Sequence, residues 1–181
     1  MTDAWSLVYN DFNPKEEGRR EALCTLGNGY SATRGAAQES VADEVHYPGT
    51  YLAGGYNRLS TEIAGRVIEN EDLVNFPNWL CLGFRPADGD WFNPLGAELF
   101  DYQQQLDLRR GLLMRIVRFR DHDGRETTLA SKRLVHMADP HHAAIETGIT
   151  AHNWSGRTQL LGAGALRPTA RVGPFPRGAA E

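Results

Sequence analysis

Residues 112–137 read LLMRIVRFRDHDGRETTLASKRLVHM, and this stretch decides the fold. Leu112–Phe119 carries large apolar residues that alternate imperfectly with polar ones, a pattern typical of a β-strand. Residues 121–124, Asp-His-Asp-Gly, predict a tight turn, since Asp-Gly supplies the positive φ that hairpin turns need. Arg125–Met137 then returns as the partner strand, so the stretch predicts a β-hairpin.

The segment beyond the hairpin adds another strand. After a short break, alternate side chains form one face of a period-2 pattern: Ala143, Ile145, Thr147 and Ile149. Residues 153–156, Asn-Trp-Ser-Gly, then close this strand as a turn. Short strands separated by Gly, Pro and Asn indicate an all-β fold, an antiparallel β-sandwich, rather than an α/β sheet.

The best helix signal lies near the start of the chain, at Asn13–Leu23. Asn13 suits an N-cap, Pro14 suits the first turn, and two glutamates follow at the positive end of the helix. The apolar face of this segment is poor, so we expect a helix of at most a turn or two.

Composition and charge exclude several classes of protein. The 181 residues carry a net charge of −4 with acids and bases interleaved, so no basic stripe predicts a nucleic-acid partner. No apolar run approaches the roughly 18 residues of a membrane span, and the start of the chain lacks the features of a signal peptide. Cys24 and Cys81 have no metal-ligand spacing and are expected to be reduced thiols, which indicates a cytoplasmic protein.

The end of the chain differs from the rest. Arg, Gly, Ala and Pro make up 16 of the 25 residues from Arg157 to Glu181, and the net charge of this part is +3. Leu166–Glu181 has no strand pattern. We therefore predict a sandwich domain over residues 1–158, itself incomplete, and an aberrant, disordered tail over residues 159–181 that reflects truncation or a frame slip.

A glycine-rich loop follows the predicted helix. Residues 27–32, GNGYSA, match the spacing of a dinucleotide-binding loop, but no amphipathic helix follows, so a nucleotide site is rejected. Glycines at positions 27, 29 and 35 instead predict a backbone that holds Asn28 and Arg34 firmly. The forked guanidinium of Arg34 has two interpretations: it grips a carboxylate of a neighbouring domain or a sugar hydroxyl, or it ties down its own loop.

No catalytic centre emerges from the titratable residues. A glycosidase needs two facing carboxylates, and surface positions or salt bridges explain Asp107 and Glu146 equally well. There is no G-x-S-x-G motif, and Cys24 has no assigned partner. His141 and His142 are adjacent, so on an extended strand they point to opposite faces, and no metal site is predicted.

Residues 75–79, NFPNW, form the segment best suited to contact a sugar. Pro77 fixes the backbone between Asn75 and Asn78. Trp79 offers a flat apolar face and one hydrogen-bond donor, and sugar rings stack on such faces. A tryptophan buried in the sandwich is the alternative interpretation.

Taken in order, several motifs resemble the amino-terminal domain of glycoside hydrolase family 65, which includes maltose, trehalose, kojibiose and nigerose phosphorylases and some hydrolases. The matching segments are Trp5–Phe12, Leu26–Tyr30, Thr33–Ala36, Tyr47–Gly54, Leu73–Trp79, Leu106–Arg109 with Gly111 and Leu112, and Ile149–Gly156. Together they span roughly residues 5–158, so the resemblance rests on many ordered motifs.

The resemblance implies a large amino-terminal β-sandwich, a helical linker, an (α/α)6 barrel and a small carboxy-terminal sheet. The barrel holds the general-acid glutamate and the phosphate site. In phosphorylase members the acid protonates the leaving oxygen while inorganic phosphate attacks from the opposite face, so phosphate is a co-substrate and no metal or organic cofactor is implied. The implied substrate is an α-linked disaccharide, and a homodimer is one implied assembly.

Because the sequence ends before any barrel, the resemblance implies the non-catalytic amino-terminal part of a glycosyltransferase or glycoside hydrolase acting on α-glucosides. No catalytic residue is assigned to it. Five residues are candidates for substrate binding or for contact with the missing barrel: Asn28, Tyr30, Arg34, Asn78 and Trp79. Two alternatives stay open, a stand-alone carbohydrate-binding β-sandwich and a poorly folding fragment of a broken gene.

Overall fold

The computed structural model describes residues 4–162 and 171–172, and strands, nearly all paired antiparallel, are the main secondary structure of these residues. The strands are β1 (Ser6–Tyr9), β2 (Leu26–Gly27), β3 (Ser31–Thr33), β4 (Thr50–Leu52), β5 (Tyr56–Ile63), β6 (Arg66–Leu73), β7 (Leu82–Pro86), β8 (Glu98–Asp107), β9 (Leu112–Arg120), β10 (Glu126–Val135), β11 (Ala143–Ala151), β12 (Thr158–Gly162) and β13 (Arg171–Val172). Helix α1 is Pro14–Leu23, and a short 3-10 helix covers Pro94–Gly96. The predicted all-β class is confirmed.

The central layer is a six-stranded sheet in the order β1-β8-β9-β10-β11-β13. Strands β9 and β10 form the predicted hairpin, with Leu129 opposite Val117. Gly124 has φ +81°, and the Asp121 carboxylate accepts hydrogen bonds from the backbone N–H groups of Asp123 and Arg125. The turn therefore forms as Asp-Gly predicts, because glycine adopts positive φ without strain.

A second layer packs on one face of this sheet. Strands β7 and β12 form an antiparallel pair, and their side chains meet an aromatic cluster from the central sheet. The buried members are Phe84, Phe92, Tyr102, Val117, Phe119, Leu129 and Ile149, with Trp154 and Leu160 packed against them. Full burial of each large apolar side chain contributes about 1.5–3 kcal/mol, so this cluster is the main source of cohesion between the two layers.

Helix α1 and the three-stranded sheet β2-β3-β4 lie over the other end of the central sheet. Cys24 and Leu26 pack there against Leu106, Leu113 and Val135. The Asn13 side chain caps the helix by accepting from the Lys15 N–H, as predicted. The helix has ten residues rather than a turn or two, so its predicted length is wrong. Its buried residues are charged, namely Glu17, Arg20 and Glu21, so apolar periodicity underestimates it.

Strands β5 and β6 form a separate two-stranded hairpin, here called the arm. All sixteen strand residues of the arm are exposed. Its turn, Ala64-Gly65, has positive φ at both positions, which is the geometry whose twist matches that of the flanking strands. The arm therefore extends from the domain as a preformed element that buries none of its own strand residues.

The carboxyl end of the described chain departs from the predicted boundary. Strand β12 begins at Thr158 and continues to Gly162, so the domain extends past residue 158 because this segment pairs with β7 and packs Leu160 on the core. Residues 171–172 pair parallel with β11, which corrects the expectation of no strand after residue 166. The rest of the predicted tail lies outside the described residues. Among those described, no helix is long and apolar enough to cross a membrane.

Candidate functional site

The loop between β2 and β3 is organised by Asn28. Its Oδ1 accepts from the backbone N–H groups of Tyr30 and Ser31, at 3.1 and 2.9 Å. Its Nδ2 donates to the carbonyls of His136 and Pro140, at 2.8 and 3.1 Å. Asn28 therefore closes its own turn through Oδ1 and joins this turn to the β10–β11 connection through Nδ2.

Tyr30 lies on the same turn and lines an open groove. Its ring meets the His141 ring edge-on, with centroids 4.5 Å apart. The groove has a volume of about 220 Å³. Its lining combines three tyrosines, two leucines and several small residues from β2–β4, the turns beside them and the base of β5 and β6. The lining residues are Gly27, Gly29, Tyr30, Ser31, Ala32, Tyr51, Leu52, Ala53, Tyr56 and Leu73.

The side chain of Arg34 contacts groups of its own domain. Its guanidinium donates to the Gly18 carbonyl at 2.9 Å, lies 3.8 Å from the Glu21 carboxylate and sits over the Tyr47 ring. Its backbone N–H donates to the carbonyl of Gly49 at 2.9 Å. Arg34 thus connects helix α1 to the segment between β3 and β4.

Asn78 and Trp79 lie after the arm, next to the buried Leu80. Asn78 accepts from the Leu80 N–H at 3.0 Å, a local turn bond, and Trp79 is half-buried. Within the described residues, no hydrogen bond or ring contact joins these two residues to Asn28, Tyr30 or Arg34. The structure brings Asn28 and Tyr30 together on one turn and places the other three candidates elsewhere.

Beneath these loops lies a cluster of buried charged side chains, which the sequence analysis did not predict. Oε1 of Glu21 lies 2.8 Å from Nδ1 of His46, and its Oε2 accepts from the Tyr47 N–H at 2.9 Å. Burial disfavours the charged form of His46, but the hydrogen bond and charge of Glu21 outweigh it and raise the pKa of His46. Glu21 is only 1% exposed, so its carboxylate has no access to a substrate in solution.

A second buried pair joins Glu39 to Arg115 of strand β9. The contact is bidentate, at 2.7 and 3.0 Å, and both side chains are less than a tenth exposed. Burial lowers the pKa of the guanidinium, but the Glu39 charge more than reverses this. Arg115 also lies beside the Tyr102 ring. Burial raises the pKa of Tyr102 to about 12, although the Arg115 charge opposes it.

Arg133 completes the cluster from strand β10. It donates to the carbonyls of Ala36 and Arg34, at 2.7 and 3.3 Å, and thus holds the backbone of the segment that carries Glu39. Burial and the nearby charge of Arg115 lower the pKa of Arg133 to about 10. Burial likewise raises the pKa of the Cys24 thiol, which keeps it protonated and unreactive.

These pairs stabilise a loop and do not form a reaction centre. Their donors and acceptors face one another and the backbone of residues 34–49, with none directed into the tyrosine-lined groove. In the part of the chain that the structure describes, no three His, Cys, Asp or Glu side chains converge as metal ligands. The arrangement can hold the backbone in place and shape a surface, and the tyrosine-lined groove is an accessible concave feature of that surface.

A family model describes what this chain resembles. Residues 7–162 match the model for the glycosyl hydrolase family 65 N-terminal domain. The match covers the helix, the arm and both layers of the sandwich. It ends at residue 162, the last residue of β12.

Individual relatives agree with this match. An uncharacterized glycosyl hydrolase of Mycobacterium tuberculosis is 51% identical over 154 residues, which are 85% of this chain and 12% of the relative. A kojibiose phosphorylase of Caldanaerobacter subterraneus is 33% identical over 157 residues, which are 86% of this chain and 19% of that enzyme.

A solved structure agrees at the level of the fold. A human-microbiome protein provisionally assigned as a kojibiose phosphorylase superposes with a TM-score of 0.76 at 25% identity. The superposition covers 83% of this chain and 20% of the other. The chain thus spans only about an eighth to a fifth of the length of these relatives. The chain belongs to glycosyl hydrolase family 65, and it corresponds to the N-terminal domain of that family.

Proposed function

We propose that this chain is the non-catalytic N-terminal portion of a family 65 enzyme that cleaves α-linked disaccharides by phosphorolysis or hydrolysis. The observation that carries the proposal is the extent of the match, which takes in residues 7–162 but only 12–19% of the relatives. The buried pairs support it, because the carboxylates in them are bound by arginine, histidine and backbone and none is free to act as general acid.

In this proposal the domain contributes shape and stability, and the chemistry belongs to the part of the enzyme outside the match. Inorganic phosphate is the co-substrate in phosphorylase members, and no metal or organic cofactor takes part. A cytoplasmic location and a homodimeric assembly of the complete enzyme belong to the same proposal. Of the five sequence candidates, Tyr30 is the best placed for contact outside the domain, since it is exposed on the groove.

The test is an activity assay on the purified chain. The chain is incubated with phosphate and maltose, trehalose or kojibiose, and glucose 1-phosphate and free glucose are measured. We expect neither product above a heat-denatured control. Release of either sugar by the chain alone would show that it contains a catalytic site and would refute the proposal.

The tyrosine-lined groove favours a second candidate function, a stand-alone carbohydrate-binding module. Aromatic faces and hydroxyls are the groups on which sugar rings bind, and the groove offers three tyrosines. Titration calorimetry with the same disaccharides separates the two ideas. Binding that is lost in Tyr56→Ala supports the groove, whereas loss only in Trp79→Ala points to the half-buried tryptophan, and no heat in any titration removes this candidate.

A further inference from the structure

The arm is the feature of this domain that its own fold does not explain. A two-stranded hairpin is marginally stable in water unless a face packs on something. Here every strand residue from 56 to 63 and from 66 to 73 is exposed. Six of these residues are large and apolar: Tyr56, Leu59, Ile63, Val67, Ile68 and Leu73. Clustered apolar exposure of this kind marks an interaction surface.

The six apolar residues are divided equally between the two faces of the arm, and two of them, Ile63 and Val67, lie beside the turn. Residues directly opposite in an antiparallel pair share a face, and faces alternate along a strand. Thr61 pairs with Ile68, so Leu59, Ile63 and Ile68 lie on the same face. Val67 pairs with Glu62 on the opposite face and is 72% exposed. The turn is therefore flanked by apolar side chains on both faces.

The base of the arm is fixed, so its direction is set in advance. Gly54 has φ +79°, and a Cβ on Gly55 would lie 2.6 Å from the Phe76 ring. The Val74 N–H donates to the Gly55 carbonyl at 2.9 Å, which ties the two strands at their origin. Further along, Arg58 bridges to Glu71 at 2.9 Å. An arm held in this way presents its tip without a large loss of entropy on binding.

The size of the arm argues against a second copy of the chain as its partner. Eight residues per strand give a length of about 27 Å, and two strands give a width of about 10 Å. Each face thus offers about 270 Å², well below the roughly 800 Å² per partner of a stable interface. An arm that is apolar on both faces at its tip fits a cleft better than a flat, self-complementary contact.

We propose that the arm inserts its apolar tip into the polypeptide that lies outside the N-terminal domain in family 65 enzymes. This inference rests on the proposed function. The length of the relatives supports the choice of partner, since four-fifths or more of each lies outside the matched segment. The surface is defined by Leu59, Ile63, Val67 and Ile68. The arm is thereby a docking element that positions this domain.

Hydrogen exchange tests the proposal. In a chimera, residues 7–162 of this chain replace the matched segment of the Caldanaerobacter kojibiose phosphorylase, and exchange of arm amides is compared with that of the full chain alone. We expect arm amides to exchange at least ten times more slowly in the chimera. Ile68→Ser in the chimera should remove most of this slowing, so that its arm amides exchange nearly as fast as in the chain alone. Ile116→Ser should preserve it, because Ile116 has the same 44% exposure but lies on β9.

Each other outcome overturns the inference. If other segments of the domain are slowed in the chimera but the arm is not, the docking role fails while the proposed function stands. If no segment is slowed, both fail. If the arm amides of the chain alone exchange more slowly at higher protein concentration, the partner of the arm is a second copy of the chain. If the chimera is insoluble, the intact M. tuberculosis relative replaces it, and fast exchange in its equivalent hairpin refutes the proposal.

Discussion

Replacing Arg115 alone should destabilise the domain far more than replacing it together with Glu39. The two side chains form a bidentate pair at 2.7 and 3.0 Å and are almost fully buried. At an effective dielectric constant of about 20, unit charges 3.0 Å apart attract by about 5.5 kcal/mol. Arg115→Met removes that attraction and leaves the Glu39 carboxylate buried without its cation.

We expect Arg115→Met to lower the free energy of unfolding by about 3–5 kcal/mol, the usual cost of a buried charge left without its partner. Arg115→Met combined with Glu39→Leu removes both charges, and an apolar pair of similar volume is often neutral or stabilising. The double variant should therefore lie within about 1–2 kcal/mol of the original chain.

The measurement is urea denaturation at pH 7 and 25 °C, followed by tryptophan fluorescence, on the chain, both single variants and the double variant. The chain has four tryptophans, and Trp154 packs directly on the core cluster. The reasoning is refuted if Arg115→Met costs less than about 1 kcal/mol. It is equally refuted if the double variant is as unstable as the single one, since the loss would then reflect packing rather than the unpaired charge.

Three further predictions concern the loop, the helix and the arm. The pKa of His46 is raised in the folded state, so its contribution to stability is complete below its unfolded pKa of about 6.5 and is lost as pH rises through the folded pKa. The free energy of unfolding should therefore fall with rising pH in this range, by at most about 1.4 kcal/mol per pH unit. His46→Gln should flatten this dependence in unfolding measured from pH 5 to 9. Gly35→Ala places a Cβ 2.4 Å from Cys24 Cβ and should cost about 1–3 kcal/mol in the same urea assay, whereas Gly96→Ala, with nothing within 4 Å, should change stability by less than about 0.5 kcal/mol. Ala64 has φ +53°, which asparagine tolerates better, so Ala64→Asn should slow hydrogen exchange across the arm, and unchanged or faster exchange would contradict this.

The central hairpin could be predicted because local signals and tertiary burial agree there. Val117 and Phe119 point into the core, and Asp121–Gly124 is a turn that needs little help from the rest of the chain. Helix α1 was underestimated for the opposite reason. Its inward face carries Glu17 and Glu21, which are charged and yet buried. A search for apolar periodicity therefore finds only a weak helix.

The arm and the buried pairs could not be predicted from local pattern. The arm has no buried face, so nothing selects a regular alternation along residues 56–73. Glu39 and Arg115 are 76 residues apart in sequence, and a lone glutamate next to Gln38 gives no sign of an interior partner. Among the sequence candidates, Arg34 illustrates the same limit, since only the fold decides whether its guanidinium meets its own loop or another domain.

The buried charges and the exposed arm are connected through Asn75. Asn75 accepts from the Thr50 N–H at 3.0 Å and donates to the Pro48 carbonyl at 3.2 Å, so it clamps the chain that enters the arm to the chain that leaves it. The segment entering the arm is itself held three residues earlier, where Glu21 binds the N–H of Tyr47. Interior charges thus fix a loop, the loop fixes the base of the arm, and the base sets where the arm points. Under the proposed function, in which the reaction takes place outside this domain, that chain of contacts is a physical reason for burying so much charge.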